Sequence, residues 1–175
     1  SAPGKVLVPL ELDAVDKAID VCVKEDVTSI VIGFLHSYVN STHEELVAER
    51  VRKRISSISV TTSSSVCPEI REYERFTTAC ANGYVLPLMS RYLTELSDGL
   101  KQLGCDCPCL MMTSGGGLMS FANAARFPVR LVESGPAGGA IMVSHLAESR
   151  AIGKVLSFDM GGTTAKICLI DEGGP

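Results

Sequence analysis

Apolar residues recur along the first third of the chain with two periods. Val6 to Pro9 is a short apolar stretch that predicts a strand, and Leu12, Val15, Ala18, Ile19, Cys22 and Val23 then fall at helical spacing. Thr28 to Leu35 is β-branched and nearly continuous in apolar character, the pattern of a parallel strand covered on both faces. Thr42-His43-Glu44-Glu45 reads as a capping box, with the Thr hydroxyl and a Glu carboxylate satisfying the first amides of a helix that runs to about Arg54. Ile58 to Ser63 predicts the next strand. Strand–helix alternation of this kind argues for an α/β fold with parallel pairing.

A long helical pattern follows from about Tyr73 to Leu103, with Leu88, Tyr92, Leu96 and Leu100 keeping the period. Gly83 and Pro87 interrupt it, which predicts a kink or a split. Leu110 to Met112 predicts a strand ending in the loop Thr113-Ser114-Gly115-Gly116-Gly117. A short helix over Phe121 to Arg126 is expected to stop before Pro128. Val129 to Val132 leads into Glu133-Ser134-Gly135-Pro136-Ala137-Gly138-Gly139-Ala140, where Pro136 suits the first turn of a helix continuing to about Arg150. Val155 to Phe158 and Ala165 to Ile170 read as a β-hairpin closed by Asp159-Met160-Gly161-Gly162-Thr163-Thr164. Asp171 to Pro175 reads as a turn after that strand, and both ends are expected to be cuts within a longer protein.

Composition narrows the classes. Apolar residues make up 46% and charged residues 21% of the 175 positions, which suits a globular core. A net charge of -4, a pI near 5.4 and no Trp argue against nucleic acid as a partner. No apolar run reaches membrane-spanning length and the start lacks a basic and apolar leader, so a soluble cytoplasmic chain is expected. The seven cysteines are an odd number scattered through apolar segments and loops, the usage of reduced thiols.

Chemistry is concentrated in the last hairpin. Gly161 and Gly162 allow close backbone approach to a phosphate, Thr163 and Thr164 offer hydroxyl donors, and Asp159 can hold a hydrated Mg²⁺. The same residues could form only a tight turn with capped strand ends. Gly115, Gly116 and Gly117 would let a nucleotide lie against bare backbone, or would simply be a flexible connection. Gly135, Gly138 and Gly139 stand at a helix entrance where amides and the dipole favour an anion, or where glycines permit close packing. Cys105, Cys107 and Cys109 lack the usual zinc-knuckle spacing and have no neighbouring His, which favours thiols without function at a strand entry. Glu69, Arg71, Glu72, Glu74 and Arg75 read as charge pairing at a helix entry on a solvated face, or as an inter-domain or substrate-facing patch. His36, His43 and His145 are scattered and suit ordinary surface or core roles.

Taken in order, Cys67-Pro68-Glu69-Ile70-Arg71-Glu72-Tyr73-Glu74-Arg75, Ser114-Gly115-Gly116-Gly117-Leu118-Met119, Glu133-Ser134-Gly135-Pro136-Ala137-Gly138-Gly139 and Phe158-Asp159-Met160-Gly161-Gly162-Thr163-Thr164 resemble the motifs of the hydantoinase A/5-oxoprolinase family. The resemblance spans nearly the whole chain. It implies an actin-like, RNase H-like ATPase architecture, with residues 1–75 as the end of the family's N-terminal region and 76–175 as the start of its core region. It also implies ATP and Mg²⁺ as cofactors, with Asp159 to Thr164 as the second of two phosphate-binding hairpins. The implied activity is ATP-dependent opening of a small cyclic amide, with ATP-dependent ketone carboxylation as the alternative. A hydantoinase B-type subunit or fused domain is the implied partner, and a second copy could pair at the hairpin's open edge. The first phosphate hairpin does not occur in this sequence, so the chain alone is expected to bind ATP weakly and to be inactive. Many relatives continue Gly-Gly-Thr with Ser-Thr-Asp, whereas Thr163 here is followed by Thr164-Ala165-Lys166, which removes a carboxylate and adds a cation. A sugar kinase or other actin-fold phosphotransferase, and a non-catalytic nucleotide-binding regulatory module, are the rival classes.

Overall fold

The computed structural model describes residues 4–171; the expected turn at 171–175 falls, from residue 172 on, outside them. Helices and short strands alternate in the first part of the chain, and helices separate two hairpins in the second, in keeping with an α/β fold. Two compact units are present, Ser1–Tyr92 and Leu93–Pro175.

In the first unit, α1 (Leu12–Lys24), β1 (Ser29–Ile32), α2 (Thr42–Arg54) and β2 (Ser59–Thr62) follow one another. β1 and β2 pair in parallel, Ser29 opposite Ser59 and Ile32 opposite Thr62, with α2 as the crossover. Ile19 of α1, Ile32 of β1 and Val47, Ala48 and Val51 of α2 form the core, with Val15, Ile30, Phe34 and Val60 packed against it. Full burial of such a side chain contributes about 1.5–3 kcal/mol. Asp16 on α1 holds α2 by ion pairs to Arg50 and Arg54, and the Arg50 hydrogen bond is the main cause that lowers its pKa.

The structure departs from the sequence expectations at several points. Val6 to Pro9 forms no strand, and Val6, Leu7 and Val8 are exposed, because an apolar run this short has no neighbouring strand to pair with. β1 is shorter than expected, ending at Ile32 before a turn. Ser41, not Thr42, is the N-cap of α2, and its hydroxyl donates to the Glu45 carboxylate. Glu44 is drawn away from the helix start into the unit's interior.

That interior site is a polar hub. Glu44, fully buried, accepts hydrogen bonds from the Phe34 amide (2.9 Å), the Ser63 hydroxyl (2.6 Å) and both the amide (2.9 Å) and hydroxyl (2.6 Å) of Ser64. Ser63 and Ser64 open α3 (Ser63–Val66), directly after β2. Burial alone would raise the Glu44 carboxyl, but the Ser63, Ser64 and Phe34 donors outweigh it and hold the group below its ordinary value. Arg75 is equally buried and donates to Ser63 Oγ (3.2 Å), Glu69 O (2.6 Å) and Phe34 O (3.0 Å). Its guanidinium also lies over the rings of Tyr38 and Phe76. The charged cluster of 69–75 is therefore split: Arg75 is an internal tie, while Arg71 and Glu74 form an i,i+3 pair at the surface.

Arg75 lies on α4 (Glu72–Gln102), which is one unbroken helix rather than two. Gly83 is not a break: a Cβ there would stand 2.4 Å from Val31 Cγ2, so the missing side chain lets the helix approach β1. Pro87 costs one backbone hydrogen bond, and the helix continues through it.

The second unit contains two hairpins and the helices between them. β3 (Leu110–Met112) pairs antiparallel with β4 (Leu118–Ser120), a strand the pattern did not reveal. α5 (Phe121–Arg126) is capped by the Ser120 hydroxyl, which accepts from the Asn123 amide. Pro128–Leu131 is a 3-10 turn. α6 (Ser134–Ser149) has Pro136 in its first turn, and β5 (Lys154–Met160) pairs with β6 (Ala165–Asp171) in the expected hairpin. Ile170 is fully buried, whereas Leu156, Phe158, Ile167 and Leu169 are exposed.

Candidate functional site

Three glycine-bearing segments of the second unit meet around a cavity of about 650 Å³. The first is the turn between β3 and β4. Thr113 N donates to Gly117 O (2.8 Å) and Gly116 N to Thr113 O (3.0 Å), closing the turn. Ser114 is tied to the 3-10 turn by its amide (2.8 Å) and hydroxyl (3.1 Å), both to Arg130 O. Gly116 has φ +79°, and a Cβ there would lie 2.8 Å from Ile141 Cδ1, so both backbone and space select glycine. Ser114, Gly115 and Gly116 face the cavity, whereas Gly117 closes the turn outside it.

The second segment is the start of α6. Glu133 is its N-cap in the left-handed region at φ 63°, and Glu133, Pro136, Ala137, Ala140 and Ile141 line the cavity. The positive end of a helix from Ser134 to Ser149 thus borders the space, an arrangement suited to an anion. Gly135, Gly138 and Gly139 lie on this segment but not on the cavity wall. Gly138 is in ordinary contact with Met112, and a Cβ on Gly135 or Gly139 would meet nothing within 4 Å, so close packing does not explain those two.

The third is the β5–β6 hairpin. Its register sets Asp159 opposite Lys166 and Ser157 opposite Cys168, and these residues with Ile167 form that wall. Gly161, Gly162, Thr163 and Thr164 make the turn beyond it, closed by Gly161 N donating to Thr164 O at 3.0 Å, with the two Thr hydroxyls 3.5 Å apart. Of the expected phosphate and metal residues, the structure therefore brings Asp159, Gly115 and Gly116 to one cavity and leaves the turn at its margin.

Lys166, the cation that the sequence sets near the phosphate end, and Glu133, which the sequence reading left out of the site, both line the cavity. They form an ion pair across the cavity wall, joining β6 to the N-cap of α6. Counting back from Met160 opposite Ala165 would have placed Lys166 beside Asp159; its pairing with Glu133 depends on how α6 lies on the hairpin. The donors fit a phosphorylated ligand with a hard cation. A carboxylate at the wall suits Mg²⁺, which keeps most of its water, and an ammonium and a helix N-terminus suit phosphate oxygens.

Away from the cavity, Cys105 Sγ and Cys107 Sγ lie 3.3 Å apart, and this hydrogen bond, with the nearby Cys105 and Cys109 sulfurs, pushes the Cys107 thiol up. Among the described residues, no helix is long and apolar enough to cross a membrane.

The hydantoinase/oxoprolinase family matches residues 75–175, and the hydantoinase/oxoprolinase N-terminal region matches residues 1–55. An uncharacterized protein of Methanocaldococcus jannaschii is 39% identical over 99% of this chain and 26% of its own length. Caprolactamase subunit alpha of Pseudomonas jessenii is 32% identical over 98% of this chain and 24% of its own. The nucleotide-free structure of acetone carboxylase, described as acting in ATP-dependent acetone carboxylation, superposes with a TM-score of 0.89 at 29% identity, covering 99% of this chain and 25% of that one. The chain thus spans about a quarter of the length of these two curated relatives. By its match over residues 75–175, the chain belongs to the hydantoinase/oxoprolinase family.

Proposed function

We propose that this chain supplies one side of the ATP-phosphate site of an enzyme that opens a small cyclic amide. The observation that carries the reading is the convergence of Ser114-Gly115-Gly116, the first turn of α6 and Asp159 on one cavity. The fold around it would be one part of an actin-like ATPase, with residues 1–75 ending the N-terminal region and 76–175 beginning the core; the separate family matches at 1–55 and 75–175 support that division.

In this reading the backbone at Gly115 and Gly116 and the α6 N-terminus orient phosphate oxygens, with Lys166 contributing charge as its pairing with Glu133 loosens. Gly161, Gly162, Thr163 and Thr164 extend the cradle from the hairpin turn, and Gly117, Gly135, Gly138 and Gly139 shape the two glycine-rich segments. Asp159 would hold Mg²⁺ through water, and the ion would neutralise charge on the transferred phosphoryl group. Phosphorylation of the amide oxygen would turn a poor electrophile into one that water can attack. A companion subunit or fused domain completes the site, as the subunit designation of the caprolactamase relative supports. The chain by itself would bind ATP weakly and turn nothing over.

Ketone carboxylation is the second reading, favoured by the superposition on acetone carboxylase. The test is ATP hydrolysis by the full-length parent with its companion subunit, offered 5-oxoproline, hydantoins, caprolactam and small ketones with bicarbonate. Turnover dependent on a cyclic amide establishes the first reading, and turnover dependent on ketone and bicarbonate the second. Phosphoryl transfer to a sugar, or nucleotide binding without turnover with any of them, overturns both.

A further inference from the structure

The three cysteines between α4 and β3 converge although their spacing is unlike a zinc knuckle. The Sγ atoms of Cys105, Cys107 and Cys109 all lie within 4.8 Å of one another. Both ends of the loop are fixed by backbone. Gly104, at φ +81°, closes α4 with a Schellman motif: Gly104 N donates to Lys101 O (2.9 Å) and Cys105 N to Leu100 O (3.0 Å). Cys109 immediately precedes β3, whose Leu110 is held opposite Ser120. Pro108 restricts Cys107 between these anchors. The loop is open to solvent, with Cys107 exposed and Cys105 and Cys109 partly so.

We propose that Cys105, Cys107 and Cys109 form a three-thiolate site for a soft, thiophilic cation of the zinc(II) class. A Zn–S bond of about 2.3 Å in a tetrahedral site sets three sulfurs about 3.8 Å apart, inside the 4.8 Å that spans the observed cluster. An all-sulfur donor set selects soft cations over Mg²⁺ or Ca²⁺. Three protein ligands leave the fourth position to water. Binding exchanges the thiol protons for the ion, with the protons going to solvent and no change of oxidation state. None of the three lines the Asp159 cavity, so this site stands apart from the phosphate reading. Its ion would clamp the entry to β3, the strand that leads into Ser114 and Gly115.

The full chain, reduced and under argon, is titrated with Cd²⁺ as an ultraviolet probe of thiolate ligation, then with Zn²⁺ against a chromophoric chelator. The expected result is a sulfur-to-cadmium charge-transfer band saturating at one equivalent, with release of about three protons per ion near neutral pH. Cys107→Ser is expected to weaken both ions by more than about tenfold, while Cys80→Ser, an exposed cysteine outside the cluster, binds as the parent does. Circular dichroism confirms that both variants keep the parent fold. Equal binding by Cys107→Ser and the parent, absence of the band, or a Cys105–Cys107 disulfide that survives the reductant overturns the proposal.

Discussion

Two groups of charged side chains in this protein have opposite surroundings. Glu44 and Arg75 are fully buried and their oxygens and nitrogens are spent on Phe34, Ser63, Ser64 and Glu69, with the Glu72 carboxylate 3.9 Å from Arg75. Asp159 and Glu133 are exposed and Lys166 is half-buried, gathered on a cavity. A buried charge with every partner internal is committed to the fold, since leaving it costs the partners' desolvation as well as its own. A charge at a cavity wall keeps coordination free for something that arrives. Burial and partner inventory, more than charge density along the sequence, therefore separate charges tied into the fold from those left facing a cavity.

The sharpest way to break the comparison is to empty one group at a time. Arg75→Met is expected to destabilise the chain by about 3–5 kcal/mol in urea unfolding, because Glu69 O and Phe34 O lose their charged donor. Asp159→Ala is expected to change stability by less than about 0.5 kcal/mol. In the full-length parent the same change should cut ATP turnover about 100-fold or more, measured by phosphate release. Normal turnover by that variant would remove Asp159 from the site. Gly83→Ala should cost about 1–3 kcal/mol of overpacking against Val31, set against a gain of about 1 kcal/mol in helix propensity.

Acid should find the buried group as well. The folded Glu44 carboxyl titrates below its ordinary 4.5, so the unfolded chain takes the proton first. Its contribution is complete above that value and is lost as pH falls through the lower, folded one. Unfolding midpoints measured downward from pH 5 should therefore fall more steeply for the parent than for Glu44→Gln. The smallest effect is expected at the cavity: Glu133→Gln releases Lys166 from an exposed ion pair and should tighten ATP binding by about two- to fivefold in calorimetry. No gain would mean that Lys166 does not face the phosphates.

What could be read from sequence follows the range of the forces involved. The α1–β1–α2–β2 order and the β5–β6 hairpin were legible because apolar period and turn residues are local. Val6 to Pro9 misled because an apolar run says nothing about whether a partner strand exists. Gly83 looked like a break because its justification, close approach to Val31, lies outside the helix's own sequence. The site was legible as separate glycine-rich motifs carrying Asp159. That Gly115 and Gly116 reach its cavity while Gly135, Gly138 and Gly139 do not is decided by the placement of α6, as is the Glu133–Lys166 pair.

The β5–β6 hairpin sorts its side chains by face, and the outer face has a bench consequence. Leu156 stands opposite Leu169, and Phe158 opposite Ile167 at the cavity's border, all exposed, which makes a ribbon of oily cross-strand pairs on a chain whose net charge is only -4. Colloidal repulsion that weak opposes such a ribbon poorly, and it weakens further as salt screens it. Light scattering should rise with protein concentration and ionic strength, and an environment-sensitive dye should brighten on the native chain before any of it unfolds.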